Sequence, residues 1–368
     1  VVGNGEALQW GRAALGRLAA AAHFPVLAAN LVDAADPAQP AVPGLRASAL
    51  LDLDGFPVGL TSATARYGSG YRRFGYDAVD PLPILRREIK TLRARGARLI
   101  LLLSHLGCLS PEERQRRGLA DEFNDYDAAA ACPEIAAIVG GHSHIALEQP
   151  VRVGETLIVQ AGAYGEWLGE LELEVDDETG RVLAGAGRLI RCDESVPPDP
   201  TLAATLELVR EEAGRLLDAP VADAGRAYGH ALDAPSEMGS LVAAALRAVC
   251  QADLAILFGG LARRGLAAGP IRRRDLYEAL PGASHVTAAE VSGAQIRRLV
   301  NRMLASAWRT DSFNPHRGEP PLGLPAASGN VRLAYDLGRP AGEQLTALSV
   351  DGAPLDPARR YRLASTIL

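Results

Sequence analysis

Residues 99–107 read LILLLSHLG, and residues 135–144 read IAAIVGGHSH. Each is a short apolar run, the length of a buried strand and far below that of a membrane span. Each closes on histidine: His105 in the first, His142 and His144 in the second. In α/β sheets, ligands collect in the crevice beyond the carboxyl ends of the strands. Gly140 and Gly141 let the backbone turn tightly there, so two imidazoles two residues apart can enter one pocket. Neutral imidazole is a borderline ligand, suited to zinc, manganese, iron or cobalt. One strand-end histidine is ordinarily a polar loop residue. Three histidines on two strand ends indicate a site.

Outward from these strands, apolar runs alternate with amphipathic stretches to about residue 190. Strands are predicted at 24–31, 47–51, 57–61, 156–160 and 169–175, and helices at 8–21, 81–95 and 111–119. Strands interleaved with helices indicate an α/β layered domain. The Val196-Pro197-Pro198-Asp199-Pro200 stretch breaks the pattern. A helix at 201–217, with Arg210, Glu211 and Arg215 among its polar positions, bridges into a second domain. That domain should hold helices at 237–250, 274–280 and 294–306, with strands at 254–258, 286–291, 331–336 and 347–350. The expected organisation is therefore 1–192, a linker and helix at 193–218, and 219–368.

The 368 residues suit about two domains. At 48% hydrophobic and 22% charged, the chain is globular, and with 5% aromatics its core must be built from Ala, Leu and Val. A net charge of −6 without a basic stripe argues against duplex nucleic acid as a partner. Lys90 is the only lysine, so an arginine counts as a clue only in special context. Cys108, Cys132, Cys192 and Cys250 lack the spacing of a zinc knuckle or a disulfide scaffold. The chain opens on VVGNGEALQWG at a strand-to-loop junction and stops on YRLASTIL in mid-strand. It is read as a fragment cut at both ends, with no integral membrane segment.

Several segments in order resemble the 5′-nucleotidase family of dimetal metallophosphoesterases, with a calcineurin-like catalytic domain. FPVLAANL (24–31), LLLSHLG, IVGGHSH and VGETLIVQAGAYGEWLGELELEVD (153–176) resemble its catalytic domain. ADLAILFGGLARRGLAAG (252–269), RRRDLYEALP (272–281), VSGAQIRRLV (291–300) and the segment 335–366 resemble its C-terminal domain. The resemblance implies a layered αββα sandwich, incomplete at its N-terminus, followed by an α/β nucleotidase C-terminal domain. It implies a phosphoester hydrolase for nucleotides or related phosphate esters, using two divalent metals of the zinc, manganese, iron or cobalt class. Asn4, His105 and His142 match ligands of one metal and His144 a ligand of the other. The family's Asp-x-His and bridging Asp fall upstream of Val1. Arg263 matches an arginine that holds anionic groups of the substrate, with Phe258, Gly259 and Gly260 beside it. A periplasmic or extracellular setting follows from the same resemblance.

Departures are as informative. The family's Gly-Asn-His-Glu reads Gly3-Asn4-Gly5-Glu6, and the aspartate partner of that histidine falls on Leu8. No catalytic acid or base is therefore assigned. Phe258 replaces an asparagine, Gly282 replaces a stacking aromatic, and no arginine lies within 231–240. These changes leave open a non-catalytic binding protein of the same fold, or a related hydrolase such as a thiosulfohydrolase. His230 and His285 fall on the second domain and could face the interdomain cleft, while His23 and His316 read as surface positions. Asp121, Asp125 and Asp127 read as a solvated acidic loop, and Trp10 and Trp167 as packing residues. Cys108 reads as an inert thiol.

Overall fold

The apolar run at 99–105 becomes the strand Leu99–His105, held parallel between Phe56–Thr64 and Ala137–Gly140. The computed structural model that shows this describes residues 1–66, 70–117, 120–280, 285–307 and 323–367. The sheet has six strands, in the order Ser48–Leu53, Phe56–Thr64, Leu99–His105, Ala137–Gly140, Thr156–Gln160 and Val151–Val153. Its register pairs Thr64 with His105, Leu103 with Val139, and Gly140 with Gln160. The carboxyl ends of four strands therefore finish side by side. That shared rim is where the histidines emerge.

Helix Pro81–Ala94 shows how sequence dictates the packing. Asp80 caps it by accepting from Leu82 N–H at 3.0 Å, and Pro81 sets its first turn. Leu85, Ile89 and Leu92 recur at helical spacing and are buried in the core beside Ile100, Leu102 and Ile138. Each such side chain contributes about 1.5–3 kcal/mol on burial. An antiparallel hairpin, Trp167–Val175 with Val182–Arg191, lies against the sheet margin, where Gly185 approaches Leu157 and Gly187 approaches Pro150.

Two local readings change. The strand expected at 24–31 is broken into Val26–Leu27 and Leu31–Asp33. Asn30 between them is fully buried; its amide donates to Thr64 O (2.9 Å) and Val79 O (3.0 Å), and its Oδ1 accepts from Thr64 N–H. A side chain satisfied in this way bends the chain where a strand would have continued. The helix expected from residue 8 starts as a π-helical turn, Glu6–Trp10, and resumes as Gly11–Ala21. Gly11 sits at φ 73°, which glycine adopts without strain. Trp10, expected to pack, is 51% exposed.

The chain divides into two units, Val1–Pro197 and Pro198–Leu368. The second begins with the 18-residue helix Pro200–Leu217, capped by Asp199. Its four-stranded sheet runs His285–Ser292, Arg360–Ile367, Leu254–Phe258 and Pro325–Ala327, with Leu254–Phe258 and Arg360–Ile367 parallel. Helix Gly293–Ser306 buries Ile296, Val300, Met303 and Leu304. Helix Glu237–Val249 covers a second cluster through Ala243 and Leu246. A three-stranded sheet of Val331–Tyr335, Leu345–Val350 and Ala353–Pro354 adds Leu348 and Val350 to the core. Among the described residues, no helix is long and apolar enough to cross a membrane.

Candidate metal centre

The turn that carries Asn4 is built around His105. Gly3 N–H donates to Glu6 Oε2 at 2.9 Å. A Cβ on Gly3 would stand 2.7 Å from Glu6 Oε2 and 2.9 Å from His105 Cε1, so any side chain there would have to displace the carboxylate and the ring. Asn4 Oδ1 then lies 2.7 Å from His105 Nε2 and 3.1 Å from His142 Nδ1. The two imidazole centroids are 5.0 Å apart. His144 turns its ring edge to Tyr164, with centroids 5.4 Å apart. His142, His144 and Tyr164 all have positive φ, at 77°, 56° and 58°. Non-glycine residues held there carry strain, and such residues cluster at functional sites.

Electrostatics suit these rings to ligation. Burial, and then the neighbouring His105 and His144, push His142 down to about 3. Burial also lowers His105, with the Glu6 carboxylate pulling the other way. Both rings are thus neutral at pH 7, the state in which a ring nitrogen offers its lone pair. Two imidazoles and an amide oxygen are the chemistry of a borderline divalent cation. They form only part of a coordination set. Among the described residues, no group of three or more His, Cys, Asp or Glu side chains could hold an ion by itself.

Beneath the rim, a buried polar network joins the two histidine loops, and sequence reasoning missed it. Gln160 Nε2 donates to Gly141 O (2.9 Å), and its Oε1 accepts from Ile145 N–H (2.7 Å) and Ser143 Oγ (3.0 Å). Ser143 Oγ also accepts from Cys108 N–H at 3.0 Å, and Gln160 Nε2 reaches Cys108 Sγ at 3.3 Å. Burial raises Cys108 to about 12, which accords with an inert thiol. The available signal was Gln160 itself, a polar residue closing an apolar strand between the histidine loops and the hairpin. Losing one partner of such a buried group costs about 1–3 kcal/mol.

Asp125 corrects the reading of a solvated acidic loop. It is fully buried at the start of helix Asp125–Ala131, whose capping box is formed by Asn124 and Asp127. Asp127 also pairs with Arg114 at 2.7 Å. Ser104 Oγ donates to Asp125 Oδ1, while Oδ2 has no hydrogen bond among the described residues. A Cβ on Gly140 would come within 2.5 Å of that Oδ2. Burial pushes the Asp125 carboxyl from 3.8 to about 7. A folded-state value above the unfolded one means stability that is present at low pH and lost as pH rises through this window. Asp125→Asn should therefore stabilise the fold at pH 8 and give little at pH 4, with a ceiling of about 4 kcal/mol from the shift. Denaturant unfolding at the two pH values checks this. An equal offset at both would show that no buried charge is involved.

In the second unit, Phe258 ends its strand half-buried against the core, paired with Pro325. Gly259 and Gly260 are buried, and a Cβ on Gly259 would press to 2.8 Å on Leu324 O. Arg263 follows this turn, exposed, and makes no ion pair among the described residues. Gly282 and His316 lie outside the described residues, as does the side chain of His285. His23 is exposed.

Residues 218–367 match the family model for the 5'-nucleotidase, C-terminal domain. Over 350 residues the chain is 23% identical to Endonuclease YhcR of Bacillus subtilis, covering 93% of this chain and 26% of that protein. Over 300 residues it is 26% identical to Uncharacterized metallophosphoesterase YunD of the same organism, covering 81% and 61%. The chain thus spans less than two thirds of either relative. A solved 5'-nucleotidase precursor from Thermus thermophilus superposes with a TM-score of 0.67 at 23% identity, covering 99% of this chain and 72% of that one.

Proposed function

We propose that this chain, whose residues 218–367 match the 5'-nucleotidase C-terminal domain and whose fold is that of a solved 5'-nucleotidase precursor, carries part of the metal centre and the substrate-binding unit of a divalent-metal phosphoester hydrolase. Nucleotides or related small phosphate esters are the substrates in this reading. The observation that supports it best is the meeting of Asn4 Oδ1 with His105 Nε2 and His142 Nδ1. These three would hold one cation, and His144 would serve a second, with further ligands completing each set. A bound metal pair supplies positive charge at the phosphate and a hydroxide nucleophile near neutral pH. The chain's own contribution is to keep the imidazoles neutral by burial and to fix the backbone of their loops through Gln160 and Ser143. Arg263 then offers a bidentate fork to an anionic part of the substrate. A setting outside the cytoplasm belongs to the same proposal and rests on the family alone.

Gly5 favours a second reading, a binding protein without turnover, because no imidazole stands where the family has one. Phosphate release from AMP, ribose 5-phosphate and p-nitrophenyl phosphate separates the two. The measurement uses the full-length chain loaded with manganese, zinc or cobalt. Metal-dependent release abolished by EDTA is expected. Metal binding with no release from any ester would sink the hydrolase reading and leave the binding protein.

A further inference from the structure

We propose that Asp125 is a positioning residue for the metal centre, fixing the turn that carries His105 against the start of the turn that carries His142. The inference rests on the reading of those two histidines as metal ligands. Its geometry surrounds His105. Ser104 Oγ donates to Asp125 Oδ1, and Leu106 N–H donates to Ser104 Oγ at 3.1 Å. Asp125 N–H in turn donates to Gly107 O at 2.9 Å. The residues before and after His105, and the glycine that follows, are thus all tied to Asp125. Gly107 has φ 90°, and a Cβ on it would stand 3.4 Å from His142 Cδ2, so the clamped turn abuts the second ring. The other carboxyl oxygen faces Gly140, where a Cβ would lie 2.5 Å from Asp125 Oδ2 and 3.3 Å from Gln160 Nε2. Asp125 and Gln160 therefore flank the residue from which the His142 turn departs.

Packing alone does not account for a carboxyl at this place. Asp125 is fully buried, and its Oδ2 has no hydrogen bond among the described residues. An unsatisfied buried acceptor costs stability, and an apolar side chain would fill the same space without that cost. An apolar side chain could not accept from Ser104, however. The Ser104 hydroxyl is 2% exposed and has one hydrogen to give, so it would lose its acceptor and its hold on the Leu106 N–H would slacken. The carboxyl is itself anchored, because Asp125 opens a helix whose Ala128 and Ala129 lie in the core. Asp125 is not among the groups that converge on Asn4 Oδ1. It acts through the backbone of the two turns, as residues behind metal ligands do.

The test is titration of the full-length protein with manganese and with zinc against a chromophoric chelator, with a thermal melt of each variant. Asp125→Ala should weaken metal binding about 10–100-fold, the usual effect of losing a partner behind a ligand. Ser104→Ala should do the same, and the double variant should lose little more than the worse single one, because the two side chains form one link. Asp125→Asn is the isostere of a neutral carboxyl and keeps Oδ1 as an acceptor, so it should recover most of the affinity. A folded Asp125→Ala or Ser104→Ala protein that melts earlier yet binds metal with unaltered affinity overturns the proposal. So does an Asp125→Asn protein as weak as Asp125→Ala. If Asp125→Ala does not fold, Ser104→Ala decides. If His105→Ala loses metal while these variants keep it, the positioning role falls and the metal centre stands. If the unaltered protein binds neither metal, both fall.

Discussion

Replacing Gly5 with histidine in the full-length chain should raise kcat for phosphate-ester hydrolysis by about 10²–10⁴-fold, the usual contribution of a positioned acid–base group. The structure gives no steric reason for glycine at this position. Its backbone is helical, at φ −59° and ψ −53°, which any L-residue adopts. A Cβ placed there meets nothing within 4 Å. Its neighbours in the motif are constrained, in contrast: Gly3 by His105, Asn4 by two imidazoles and Glu6 by the Gly3 N–H. A histidine should therefore fit at position 5 without displacing its neighbours. Adding Leu8→Asp, at the position where the resembling family has its aspartate partner, should increase the gain by orienting the new imidazole. Metal content should be unchanged in both variants. An unaltered kcat with metal retained would show that position 5 does not face the reacting group.

The opposite change should be as large. His105→Ala or His142→Ala should lower activity by about 100-fold or more, since even partners behind metal ligands are worth 10–100-fold. The two losses should not add, because both rings serve one oxygen-and-nitrogen set around Asn4. Gln160→Leu should give a smaller decrease, with weakened metal affinity, because Gln160 holds Gly141 O and Ile145 N–H rather than the ion. Metal titration of each variant, alongside a thermal melt, distinguishes loss of a ligand from loss of fold. Full activity in His142→Ala would remove that ring from the centre.

Much of the fold was open to inspection because the buried strands announce themselves. LILLL and IAAIV are apolar, short and bounded by polar or glycine residues, and the α/β layered character followed directly. The histidines were legible for the same reason, as polar residues set just beyond those runs. What could not be read was the polar chemistry beneath the rim. Asp125 looks like any acidic loop residue in sequence, and only the packing of Ser104 and Gly140 around it shows a carboxyl kept from water. Asn30 likewise ends a strand through bonds to Thr64 and Val79, contacts that span 34 and 49 residues and leave no local pattern.

The most direct test of the metal centre is anomalous scattering from crystals of the full-length protein grown with zinc or manganese, measured at the metal's absorption edge. The expected result is a peak within about 2.0–2.2 Å of Asn4 Oδ1, His105 Nε2 and His142 Nδ1 together, the range of zinc–nitrogen and zinc–oxygen bonds. A bound metal whose ligands exclude His105 and His142, or no peak between them at saturating metal, would contradict the assignment.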